Sequence, residues 1–204
     1  SKNELNELYQ KVSLYQEKDF TKDSFVDFNT KLTAIKGLID NADDYIKFCK
    51  NLDYYLTLQP ELYTGNYSGE GSEYLMASLG DLKMFLVHYL SVEQCRDEWI
   101  RRRERVNKDN LFFVMNDRNY CTEEDIKAFD ELPYDNKVCF THIRYPQYKS
   151  TYYISGSEKD DYLKSVMDYV HQWWIKRYYD QFDFVTWLNN GGSEWTQSLD
   201  RRFK

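Results

Sequence analysis

Residues 111–146, LFFVMNDRNYCTEEDIKAFDELPYDNKVCFTHIRYP, constrain the fold more than any other stretch of this chain. They read as strand, polar turn, short helix, strand and polar turn. Two apolar runs, Leu111–Met115 and Val138–Phe140, each end abruptly in groups able to bind or react. The first runs into Asn116, Asp117 and Arg118, the second into Thr141, His142 and Arg144. In open α/β sheets, ligands sit outside the carboxyl ends of the strands. The segment therefore suggests both an architecture and a place to look for a site.

The chain on either side extends this pattern. Tyr74–Leu79 and Leu82–Leu90 read as two strands across a Gly80-Asp81 turn. Ser91 with Gln94, and less clearly Thr122 with Asp125, read as helix-capping signatures. The expected order from residue 82 is a strand, a helix to about Val106, strand 111–115, helix 122–131 and strand 137–141, followed by strand 149–155. This describes an α/β class: a small mixed sheet of β-α-β-α-β order flanked by helices. The sequence does not fix strand direction; the short loop around Pro146 leaves an antiparallel edge open for the final strand. Residues 158–188 carry aromatic groups at helical spacing, including Tyr162, Tyr169, Trp173, Trp174, Tyr178 and Trp187. Such a run either stacks on sugars or docks a terminal helix onto the sheet.

Upstream, the apolar spacing is helical throughout. Leu5, Leu8, Val12 and Tyr15 form one stripe, and Phe25, Phe28, Leu32, Ile35 and Leu38 a second. A third helix is expected over 42–57, with a loop over 60–72. The chain thus divides into a helical segment 1–41, an α/β domain 42–191 and a polar tail 192–204.

Composition narrows the function classes. A net charge of −7 argues against non-specific nucleic-acid binding, which needs Lys and Arg against phosphates. The four cysteines form no CxxC pair, and no His stands at metal-ligand spacing from them. They are expected to stay reduced, which favours the cytoplasm. No apolar run is long enough to cross a bilayer. No secretory signal is visible at the start, although a processed N-terminus would look the same. Nothing points to a metal or a particular cofactor: Gly-rich phosphate loops, GxSxG, HExxH and Asp-x-Asp are all missing.

If the strands at 111–115 and 137–141 are parallel neighbours, Asp117 and His142 share an edge and can form an acid/base pair. His88, near the end of MFLVHY, would complete a set of three converging strand ends. Those three are the candidate catalytic groups. Asn116, Arg118, Thr141 and Arg144 are candidate substrate contacts, and Arg102 and Arg103 of the basic run RRRER are candidate phosphate ligands. Each has a plainer reading: Asn116 and Asp117 as turn residues, the histidines as packed or solvated groups, the arginines as a solvated helix face.

ADDYIKFCKNLDYYL at 42–56, GDLKMFLVHYLSVEQCRDEWIRRRERVNKDNLFFVMNDRNYCTEEDIKAFDELPYDNKVCFTHIRYP, and YYDQFDFVTWLNNG at 178–191 resemble a bacterial family of unknown function. Its members are described as exopolysaccharide or capsule biosynthesis proteins. The resemblance spans about 41–191 and implies an α/β fold and a role in surface polysaccharide synthesis, with a sugar nucleotide or glycan as substrate. It brings no catalytic residues. Family members usually begin with an extra strand and a Gly-containing turn, missing here. In its place, DFTKDSFVDFNTKLTAIKGLIDN at 19–41 resembles the start of a FIVAR module, a helical unit of Gram-positive surface proteins and secreted glycosidases. That likeness implies a cell-surface or secreted location instead. The expected function is therefore a transferase acting on an activated sugar or glycan. The alternatives are a non-catalytic carbohydrate- or protein-binding module, or an incomplete domain without its own activity.

Overall fold

A computed structural model describes residues 42–65, 74–118, 121–166, 168 and 177–190. The helical stripes expected before residue 41, the FIVAR-like stretch, Tyr169, Trp173, Trp174 and the polar tail lie outside the described residues.

The expected helix over 42–57 is two helices, α1 (Ala42–Lys50) and α2 (Leu52–Tyr55). Asn51, with φ −122° and ψ 35°, interrupts it, its N–H shared between the Lys47 and Phe48 carbonyls at 3.2 Å each. Strands β1 (Glu61–Leu62), β2 (Met76–Leu79) and β3 (Leu82–Phe85) form an antiparallel sheet in that order. Leu79 faces Leu82 across the two-residue turn read from the sequence. Gly80 holds φ at +64°, and a Cβ there would stand 2.8 Å from a Leu58 methyl, so a side chain at this turn would be strained and would displace Leu58. Asp81 fastens the turn to α1 and α2 by pairing with Lys47 and accepting from the Tyr55 hydroxyl at 2.8 Å.

Helix α3 (Val92–Arg103) starts where its cap predicts: the Ser91 hydroxyl accepts from the Gln94 N–H. The Gln94 side chain returns to the Leu90 N–H rather than to Ser91. Helix α4 (Glu123–Asp130) has a complete capping box between Thr122 and Asp125. Strands β4 (Phe113–Asn116), β5 (Lys137–Thr141) and β6 (Thr151–Tyr153) form a second, wholly parallel sheet in that order.

The β-α-β-α-β order is present, but its strands are divided between two sheets. β3 stops at Phe85, five residues short of the expected Leu90, and pairs with β2. β6 is parallel to β5 rather than an antiparallel edge. The chain makes that return over residues 142–150 without a helix, a shorter crossover than parallel pairs usually need.

Side chains alternate across the parallel sheet. Phe113, Met115 and Cys139 join α1, α3, α4 and the hairpin sheet in one core. Val138, Phe140 and Tyr152 join Ile154, Leu163, Phe182 and Trp187 in a second. Coverage of both faces is what a parallel sheet requires.

Among the described residues, the helix expected over 158–188 is not formed. Residues 158–166 are turns and irregular chain, and a 3-10 turn, Tyr178–Gln181, precedes α5 (Phe184–Asn189). Its described aromatics dock on the sheet: the Phe182 ring lies 5.1 Å from Phe140 and 5.5 Å from Trp187, both edge-on.

Candidate functional site

Strand β4 ends at Asn116, and Asp117 extends its ladder by one bond, its N–H reaching the Phe140 carbonyl at 3.1 Å. The Asp117 carboxylate is 4% exposed, as a residue, at the carboxyl edge of the parallel sheet. Three donors hold it. Oδ2 accepts the His142 backbone N–H at 2.7 Å and lies 2.6 Å from His142 Nδ1. Oδ1 accepts the Leu163 N–H at 2.8 Å, from the irregular segment after β6.

An ionised carboxylate can only accept, so Nδ1 carries the proton of the pair. In the neutral imidazole, Nε2 is then the nitrogen with the lone pair. The His142 side chain is 13% exposed, against 3% for Asp117. The inner partner is thus sealed, while the ring keeps some access to solvent. This is the arrangement in which a carboxylate fixes the tautomer and orientation of a general base.

Two further side chains lie in the field of Asp117. Burial, then Asp125 and Asp117, push the Cys121 thiol up to about 12. Burial, then Asp117 and Glu123, raise the Tyr145 phenol. Both keep their protons at neutral pH: Cys121 is no thiolate nucleophile, and Tyr145 remains a hydrogen-bond donor.

The other sequence candidates separate. Asn116 is exposed and accepts the Arg118 N–H on its side-chain oxygen at 3.1 Å, an Asx turn that sets the chain's exit from β4. Arg118 is half-buried, and its Nε is buried with no hydrogen-bond partner among the described residues. Thr141 is fully buried, and its hydroxyl donates to the Ile143 carbonyl at 2.7 Å, so it shapes the His142 turn rather than facing a ligand. Arg144 is exposed and lies over the Tyr153 ring at 4.3 Å.

His88 does not join Asp117 and His142. It is exposed in a turn beyond β3, in the antiparallel half. Arg103 donates through Nη1 to the carbonyls of Leu56, Thr57 and Leu58 at 3.4, 3.4 and 3.0 Å, closing the chain end of α2. Arg102 pairs with Glu98 at 3.4 Å. The α4 N-terminus offers little to an anion either, since its own first turn carries Glu123, Glu124 and Asp125.

The sequence reading missed Leu163, Cys121 and Tyr145. Leu163 contributes only main chain, which leaves no side-chain signal. Tyr145 had one: it follows His142 by three residues in the same loop. Among the described residues, no group of three or more His, Cys, Asp and Glu could hold a metal ion. No helix of the described residues is long and apolar enough to cross a membrane.

Fold and site together define a mixed α/β protein with a His–Asp pair at the carboxyl edge of a parallel sheet. The chain belongs to the family described as Domain of unknown function (DUF1919), whose match covers residues 21–189 and so takes in β1 to α5 and both members of the pair. That match begins at residue 21, so it takes in most of the 19–41 stretch expected from sequence to be FIVAR-like, and nothing found supports a FIVAR module there. A protein of Haemophilus influenzae described as uncharacterized is 41% identical over 150 residues, covering 74% of this chain and 70% of its own length.

Proposed function

We propose that this protein is a group transferase of surface-polysaccharide assembly, acting on an activated sugar or a glycan. The observation that carries the reading is the 2.6 Å contact between His142 Nδ1 and the buried Asp117 carboxylate, at the sheet edge where α/β proteins bind ligands. His142 Nε2 takes the proton of an acceptor hydroxyl. The freed oxygen bonds to the transferred group, and the leaving group departs with its bonding electrons. Asp117 is the positioning residue, holding the ring and countering the imidazolium charge. The likeness to exopolysaccharide and capsule proteins supports the polysaccharide setting.

The test is nucleoside diphosphate release from a panel of nucleotide sugars, with mono- and oligosaccharide acceptors. Turnover by the wild-type chain is expected with at least one donor, and His142→Ala should lower it by about 10²- to 10⁴-fold while keeping the fold. Equal turnover by His142→Ala, or no release from any donor, sinks the assignment.

A further inference from the structure

We propose that Arg118 receives a phosphoryl group of the substrate, so that the site is built for a phosphate-activated sugar rather than a neutral glycan. This rests on the transferase reading and names the chemistry of the donor.

The first ground is an orphaned donor. Arg118 Nε is buried and has no hydrogen-bond partner among the described residues. A buried N–H on a cation is costly to leave without an acceptor. The neighbouring carboxylates are engaged elsewhere: Asp117 by His142 and Leu163, Asp125 by Thr122, and Glu123 by Gln147 and Tyr148. Arginines of α3 differ in this respect. Arg96 and Arg103 donate to main-chain carbonyls, and Arg101 pairs with Glu98.

The second ground is position. Asn116 pairs with Phe140 across the parallel ladder, so Arg118 and His142 each stand two residues past a matched pair on adjacent strands. The Asn116 side chain occupies the Arg118 main-chain N–H, which leaves the guanidinium as the recognising group. Nε with an adjacent Nη forms the planar fork that suits phosphate oxygens.

The step balances with the donor so defined. The acceptor hydroxyl gives its proton to His142 Nε2, and its oxygen bonds to the sugar carbon. The bond from that carbon to the phosphate oxygen breaks, and the electron pair stays on the phosphate, where Arg118 meets the charge.

Calorimetric titration of the wild-type chain with pyrophosphate, UDP-glucose and glucose tests this. Pyrophosphate and UDP-glucose should bind, more weakly as salt is raised, and glucose should not. Arg118→Gln should weaken both by about tenfold or more, and Arg118→Lys, which keeps the charge but loses Nε, by about threefold or more. His142→Ala should bind pyrophosphate as the wild type does. Equal pyrophosphate affinity in wild type and a folded Arg118→Gln overturns the proposal, as does binding of glucose without pyrophosphate. Should circular dichroism show Arg118→Gln unfolded, Arg118→Lys decides by the same criterion. Failure here leaves His142-dependent turnover untouched, while failure of the base assignment shows in turnover and not in pyrophosphate affinity.

Discussion

The two sheets of this protein use their polar groups in opposite ways. Around the antiparallel sheet, polar side chains hold the chain to itself. Asp81 ties the hairpin to α1 and α2, Arg103 and the Trp99 indole close the carbonyls of residues 56–58, and Arg96 holds the Pro60 carbonyl. At the carboxyl edge of the parallel sheet, polarity is gathered but left unfinished. A buried carboxylate orients an imidazole whose outer nitrogen has no hydrogen-bond partner among the described residues, and Arg118, one residue on from that carboxylate, has a buried N–H without an acceptor among them. One half closes its polar groups on the chain, and the other gathers the groups on which the transferase proposal rests. Counting charged residues would not separate them, since the arginine-rich helix belongs to the scaffold.

The largest effect that would break this contrast is in stability. Asp117→Ala strips the His142 and Leu163 N–H groups of their acceptor and should cost roughly 3 kcal/mol in urea unfolding, since each buried donor left unpaired costs about 1–3 kcal/mol. Asp117→Asn keeps an acceptor oxygen and should lose less stability than turnover. A pair of merely structural residues would show the reverse order. Arg103→Ala comes next, at about 1–2 kcal/mol, with turnover and pyrophosphate affinity unchanged. A loss of activity there would place α3 in the site and erase the distinction between the sheets.

A pH effect is shared by both halves. Burial pushes the Cys49 thiol up to about 12, Cys95 to about 11 and Cys121 to about 12, from an ordinary value of 9.0. The folded chain holds these protons more tightly than the unfolded chain. Their stabilisation is therefore whole below the unfolded value and is lost as pH rises through 11 to 12. Tyr55, also raised to about 12 by burial and then by Asp81, acts with the same sign. The urea midpoint should fall between about pH 8 and pH 10.5. A flat or rising midpoint over that interval contradicts the account.

What the sequence made legible was local. The ends of β4 and β5, the Gly80-Asp81 turn and both capping signatures were readable because each depends on residues within a few positions of one another. The same holds for the juxtaposition of Asp117 and His142, which needed only that β4 and β5 be parallel neighbours. Long-range choices were not readable. A nine-residue return between β5 and β6 looks antiparallel by length, and only packing on both faces of the sheet makes it parallel. MFLVHY reads as one strand, but the chain turns after Leu86, where the Tyr89 N–H bonds the Leu86 carbonyl, and His88 leaves the sheet. In 158–166 the Leu163 N–H, which a helix would direct to residue 159, is taken by Asp117 instead. Aromatic spacing cannot report such a tertiary bond. Arg103 looked like a phosphate ligand because the carbonyls it closes lie 45–47 residues earlier.

The bond from Leu163 to Asp117 sets what can be exchanged at position 163. It is made by main chain, so it does not depend on which apolar side chain fills the second core at that position. The segment after β6 can exchange its outward residues, and with them the shape it shows a ligand, while the carboxylate under the imidazole stays seated. Proline alone is barred at 163, because it has no N–H to offer. The side chain at 163 and the seat of the His142–Asp117 pair are therefore separable: one can change while the other is kept.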